Sequence, residues 1–162
     1  TFWLSETPEV PSLGWDAGCN RVCTWAVLEN RYTGEQYVHI NSHFDNVGTK
    51  AREESVKLIL AHTEKYSNLP VVFTADMNVV EGSENYVQMT SGCLKDTKYL
   101  TDDSMNYLTY HDTKPSRHKG EVIDYVMVNG NFNVLSYKVV TAGIDNRYVS
   151  DHFPVYADLE IK

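Results

Sequence analysis

The chain has 162 residues, of which 42% are hydrophobic, 12% aromatic and 22% charged; that is enough for one domain with a real core and too apolar for a disordered segment. Its formal charge of −8 argues against a protein that grips a long nucleic acid backbone through a basic stripe, so an anionic substrate would need a metal ion or a local basic loop. No apolar run approaches the roughly twenty residues of a membrane helix, and no positively charged leader precedes an apolar segment.

The opening Thr1-Phe2-Trp3-Leu4-Ser5 reads as the inside of a strand. A targeting signal ahead of it would mean secretion, which the sequence leaves open beside the cytoplasmic reading that its thiols favour. Pro8, Pro11 and Gly14 then break regular structure, so residues up to Trp15 read as a loop. Cys19 and Cys23 would lie about 13 Å apart in extended chain, too far for a disulfide. With Cys93 they make an odd number and complete no zinc set, so buried free thiols in a reducing compartment are expected.

Two strand-like segments follow, Arg21 to Glu29 and Glu35 to Phe44, joined by the turn residues Asn30-Arg31-Tyr32-Thr33-Gly34 as a hairpin. In the second, Val38, Ile40 and Ser42 face one way and His39, Asn41 and His43 the other. On a strand the two histidines stand about 13 Å apart and cannot share an ion; His43, at the strand end, is the one free to reach a site. Thr49 to Asn68 reads as an amphipathic helix with Val56, Ile59, Leu60 and Thr63 inward and Glu53, Glu54, Lys57, Glu64 and Lys65 solvated.

Pro70 to Asn78 is an apolar run led in by proline and ended by Asp76 and Asn78. In sheets flanked by helices, ligands collect outside the carboxyl ends of strands, so a site is expected here, although Asp-Met-Asn also reads as an ordinary turn. Ser83 caps a short helix through Met89 that stops at Gly92. Thr97 to Gly120 is a long polar stretch carrying Lys114, Arg117, His118 and Lys119, and it reads equally as a mobile loop or a functional one.

Val122 to Val128 is apolar on both faces, as a central strand should be, except for Asp124 in its middle, which requires a partner. Ser150-Asp151-His152-Phe153-Pro154-Val155 leads into a last strand, Val155 to Ile161, and sets an acid beside an imidazole. A carboxylate bonded to one imidazole nitrogen fixes the tautomer and raises basicity, as a general base or a phosphate-stabilising histidine requires.

Five motifs now stand in order: Phe2-Trp3-Leu4-Ser5, His43-Phe44-Asp45 before a helix containing Arg52, Thr74-Ala75-Asp76-Met77-Asn78, Ile123-Asp124-Tyr125-Val126, and Ser150 to Val155. Together they resemble the endonuclease/exonuclease/phosphatase superfamily, the DNase-I-like metal-dependent phosphoesterases, and are most similar to uncharacterised bacterial members. The resemblance implies an α/β fold, part of a four-layer sandwich with two packed, mostly antiparallel or mixed sheets and helices outside. Residues 1–162 would form a single domain matching the C-terminal two thirds of such a unit. The family's preceding strand, ending in asparagine, and its following metal-ligating glutamate have no counterpart here. The 162 residues alone are therefore expected to bind magnesium weakly and to turn over little.

By the same resemblance, Asp76 orients or deprotonates the attacking water and Asn78 holds that water and a phosphate oxygen. His152 lies against the phosphate and is oriented by Asp124, His43 is a second phosphate contact, and Asp151 is a ligand of magnesium or manganese. Arg117 and Lys119 are the candidate substrate-binding residues, being the basic cluster nearest the strand of Asp124. The expected function is metal-dependent hydrolysis of a phosphodiester or phosphomonoester by water attack. A small phosphorylated molecule is the favoured partner, with a nuclease acting on nucleic acid or a non-catalytic binding module on the same scaffold as alternatives. A zinc hydrolase built on the six histidines fails, because no histidine pair sits at ligand spacing on a helix.

Overall fold

The structure is a computed structural model, and it describes residues 1–113, 120–143 and 148–162. Among the described residues it is a mixed α/β arrangement of two sheets and two helices. The elements are β1 (Phe2–Trp3), β2 (Val22–Glu29), β3 (Gln36–His43), α1 (Thr49–Glu64), β4 (Val71–Asp76), α2 (Glu84–Ser91) and β5 (Lys95–Asp96). A single turn of 3-10 helix (Thr97–Tyr99), β6 (Ser104–Met105), β7 (Asp124–Val128), β8 (Phe132–Val139) and β9 (Val155–Ile161) complete the order.

The larger sheet runs β1-β2-β3-β4-β7-β5 and the smaller β6-β8-β9. The expected hairpin is present, with β2 and β3 antiparallel from Cys23↔Ser42 to Glu29↔Gln36. Helix α1 then carries the chain over so that β4 pairs parallel to β3, the connection a parallel pair needs. Strand β7 returns antiparallel beside β4.

Side-chain parity divides the larger sheet into two interiors. Val38, Ile40, Phe73, Ala75, Tyr125 and Met127 face α1 and α2, packing with Val56, Ile59 and Met89. Val72, Val126 and Val128 point to the other side, against Phe132 and the half-buried Val155, Ala157, Leu159 and Ile161 of the smaller sheet. Phe73 and Ile59 are fully buried; truncating either to alanine would cost about 2–5 kcal/mol.

Several details depart from expectation. Helix α1 ends at Glu64 rather than Asn68, because Lys65, Tyr66, Ser67 and Leu69 make tighter i→i−3 bonds on the approach to Pro70. All three cysteines are free, as expected, but only Cys23 is buried; Cys19 and Cys93 are exposed. Strand β7 begins at Asp124, so this carboxylate sits at the strand's start and is half-buried, not in its middle. The stretch from Thr97 is no simple loop: it opens with the 3-10 turn and β6, and Thr97, Lys98, Thr109 and His111 in it are buried.

Candidate active site

The period of two along a strand decides what meets at the C-terminal end of β4. His43 shares a face with His39 and Asn41, Asp76 with Val72 and Thr74, and Asp124 with Val126 and Val128. The register pairs His43 with Asp76 and Asp76 with Asp124. Three polar side chains therefore form one row across three adjacent strands, strands spaced about 4.8 Å apart, on the face that looks toward the smaller sheet. His152, just ahead of β9, reaches the row from the opposite sheet.

The contacts are close. His152 Nδ1 donates to Asp124 Oδ2 at 2.7 Å, which leaves Nε2 turned toward Asp76 Oδ2 at 3.9 Å. His43 Nε2 stands 3.2 Å from the same Asp76 oxygen. The other Asp76 oxygen accepts the Asn78 backbone N–H at 2.9 Å. Two imidazoles and two carboxylates thus surround one point at the mouth of a cleft of about 330 Å³. The cleft is also lined by Asn41, Thr74 and Ser150.

The site borders on two supporting arrangements. Asn78 adopts φ 49°, a left-handed conformation that asparagine tolerates, and its Nδ2 donates to the Phe44 carbonyl at 2.9 Å. The turn after His43 is further held by the buried Asp45 carboxylate. It accepts the N–H groups of Gly18, Cys19, Val47 and Gly48 and faces Arg21 Nε at 3.5 Å. Burial would raise the Asp45 pKa, but these N–H donors outweigh it and hold the carboxyl well below its ordinary range.

Burial, with the negative charge of Asp124 beside it, pushes the Asp76 carboxyl above its ordinary value, although the Asn78 N–H opposes the shift. Burial pulls His43 down, only partly offset by Asp76. Burial also pulls on His152, but the Asp124 hydrogen bond and the charges of Asp124, Asp76 and Asp151 outweigh it, and its pKa is raised. One imidazole is therefore biased toward neutrality and the other toward protonation, on either side of a carboxylate.

Asp76, Asp124 and His152 can hold a metal ion, since each offers a ligand atom and these atoms lie within 4.8 Å of one another. The chemistry of the set fits a hard divalent cation. The two carboxylates face each other across paired strands, and the charge of Asp124 raises the cost of ionising Asp76, which a cation on oxygen ligands relieves. The histidine's Nδ1 is already engaged by Asp124.

Of the residues singled out from the sequence, the structure brings His43, Asp76, Asp124 and His152 together and places Asn78 beside them. Asp151 is exposed next to His152, its Oδ1 within 3.4 Å of the Ser150 hydroxyl. Arg117 and Lys119, with the rest of the Lys114–Lys119 cluster, lie outside the described residues. Sequence reasoning missed Tyr110, whose ring sits 5.0 Å from that of His152, and Asn41, which lines the cleft while donating to Thr74. The strand alternation marked Asn41's face; nothing local marked Tyr110.

No family model matches the chain, and no curated protein does. Solved structures match it over nearly its whole length. A mannosyl-6-phosphatase of Bacteroides thetaiotaomicron gives a TM-score of 0.91 at 35% identity, covering 99% of this chain and 64% of that one. An endonuclease/exonuclease/phosphatase from Bacteroides vulgatus gives 0.89 at 35% identity, with the same 99% and 64% coverage. The human nocturnin catalytic domain, with bound sulfate, gives 0.70 at 20% identity over 89% of this chain and 54% of that one, a likeness of fold alone. The chain thus spans just under two thirds of the length of the first two relatives.

Proposed function

Since this chain belongs to the endonuclease/exonuclease/phosphatase family, we propose that it forms part of a phosphoester hydrolase in which water attacks phosphorus, and that its 162 residues act as one domain. The observation that carries this reading is the row His43–Asp76–Asp124 with His152 set against it. Two imidazoles lie 3.2 and 3.9 Å from one oxygen of Asp76.

Asp76 orients the water and accepts its proton; burial makes it a stronger base than an exposed aspartate. His152, oriented by Asp124 and biased by it toward the protonated form, presents Nε2 to a phosphoryl oxygen that gains negative charge as water attacks. His43 offers a second N–H donor from the other side. Asn78 keeps a second Nδ2 hydrogen after serving Phe44, and is assigned to the water and a phosphoryl oxygen. Magnesium or manganese, held by carboxylate oxygens of Asp151 and of the Asp76–Asp124 group, would supply Lewis-acid stabilisation of the phosphoryl oxygens.

A phosphomonoester on a small molecule, a phosphorylated sugar foremost, is the substrate class we assign. Three things support it: the name of the Bacteroides thetaiotaomicron relative, the net charge of −8, and a cleft of about 330 Å³, the scale of a small-ligand site. The test compares magnesium-dependent hydrolysis of p-nitrophenyl phosphate and bis(p-nitrophenyl) phosphate by the full-length protein, with Asp76→Ala as control. Faster monoester cleavage that disappears in the variant supports the reading. Hydrolysis unaffected by Asp76→Ala overturns it, and preference for the diester together with steep loss of substrate binding in salt points to nucleic acid.

A further inference from the structure

The Asp124–His152 bond joins two segments far apart in sequence, one at the start of β7 and one ahead of β9 in the other sheet. Their spacing must be set by something that touches both. Residues Thr109–His111 lie between them. The Thr109 hydroxyl accepts the backbone N–H groups of Ile123 and Asp124 at 3.0 and 3.1 Å. It can send its own hydrogen to the Glu121 carbonyl at 3.4 Å, while the Thr109 N–H donates to that carbonyl at 2.9 Å.

On the other side, the Thr109 carbonyl accepts the Phe153 N–H at 2.7 Å. The next two residues continue the seam: Tyr110 bridges Glu121 and His152, and the His111 N–H donates to the Asp151 carbonyl at 2.9 Å. Thr109 is 0% exposed, so water cannot replace its oxygen as acceptor for two amides.

We propose that Thr109 is a positioning residue: its hydroxyl fixes the start of β7, its carbonyl fixes the chain beside His152, and together they hold Asp124 and His152 at hydrogen-bonding distance. Valine has nearly the same shape but no acceptor, so Thr109→Val strands the Ile123 and Asp124 N–H groups and lets the start of β7 shift. Serine keeps the oxygen. The effect on turnover rests on the hydrolase reading above; the effect on the Asp124–His152 bond does not.

The experiment therefore has two readouts. The first is the downfield proton resonance of His152 Nδ1–H, recorded by NMR on this chain in chelator, where it reports the bond to Asp124 without any turnover. It is expected in the wild type and in Thr109→Ser and lost, or moved upfield, in Thr109→Val. The second is steady-state kinetics of the full-length protein on p-nitrophenyl phosphate. A displacement of the order of an ångström in a positioned group costs about a hundredfold in rate, so kcat should fall by about that factor in Thr109→Val, KM should stay within about twofold, and Thr109→Ser should restore kcat.

An unchanged resonance and kcat in Thr109→Val overturn the proposal. If Thr109→Val does not fold, Thr109→Ser decides: a retained resonance supports the role and a lost one overturns it. Failure of the hydrolase reading looks different, because Asp76→Ala then leaves hydrolysis intact while the resonance still reports on Thr109.

Discussion

Replacing Asp124 with asparagine should change the titration of His152 more than any other single substitution in the cleft. The wild-type imidazole donates Nδ1–H to Asp124 Oδ2 across 2.7 Å, with the two side chains only 25% and 22% exposed. A hydrogen bond to a charged partner contributes about 1.5–3 kcal/mol against about 0.5–1.5 kcal/mol for a neutral one, so taking the charge from the acceptor removes on the order of 1 kcal/mol of support for the imidazolium and lowers its pKa. Burial, the largest single influence on His152, then acts with less to oppose it, although Asp76 and Asp151 still push upward. His152 is thus expected to titrate at a clearly lower pH in the variant than in the wild type. The assay is a carbon-13 NMR titration of the imidazole in chelator, comparing wild type, Asp124→Asn and Asp76→Asn. The second variant should shift His152 less, because Asp76 Oδ2 is 3.9 Å from Nε2. A His152 titration left in place by Asp124→Asn would refute the argument.

Three other outcomes follow from the same structure. Asp45 has a depressed pKa, so its contribution to stability is full above the unfolded value and is lost as pH falls through the folded one; Asp45→Asn should flatten the acid limb of a urea-midpoint profile and lower the neutral plateau by about 2–3 kcal/mol, one charged acceptor lost from a buried turn. His62 is 8% exposed, lies among Phe2, Trp25 and Tyr66 and has its pKa lowered by burial. Its neutral form contributes stability present above the unfolded pKa and lost as pH falls through the folded one, so His62→Phe should gain on the wild type when thermal unfolding is followed below about pH 6.5. Burial pushes the Cys23 thiol up to about 12, so Ellman's reagent should consume the exposed Cys19 and Cys93 in the native chain and Cys23 only after denaturant is added.

Much of this arrangement was written locally in the chain. The alternation of β3 carried His43 to the correct face, the proline-led run gave β4 and its terminal Asp76, and Ser83 and Gly92 bracket α2 as capping chemistry predicts. What local pattern could not supply was pairing at a distance. Apolar residues on both sides of Asp124 suggested a strand centred on it, yet β7 starts there, because Ile123 turns its carbonyl to Met77 and its N–H to the Thr109 hydroxyl. Thr109 itself sits in a polar stretch with no periodicity, and its partners at Glu121, Asp124 and Phe153 lie 12 to 44 residues away. The sequence marked Asp151 as a metal ligand but gave no sign that ligand atoms of Asp76, Asp124 and His152 also lie close enough to one another to share an ion. Only the register between β4 and β7 could have revealed that.

The convergence of these strand ends on a cation and a phosphoryl group is tested most directly by crystals of the full-length protein grown with manganese and inorganic phosphate. The account predicts an anomalous peak against the carboxylates of Asp76, Asp124 or Asp151, with the phosphate bonded by His43 and His152. Manganese bound elsewhere, or a phosphate touching neither histidine, would contradict it.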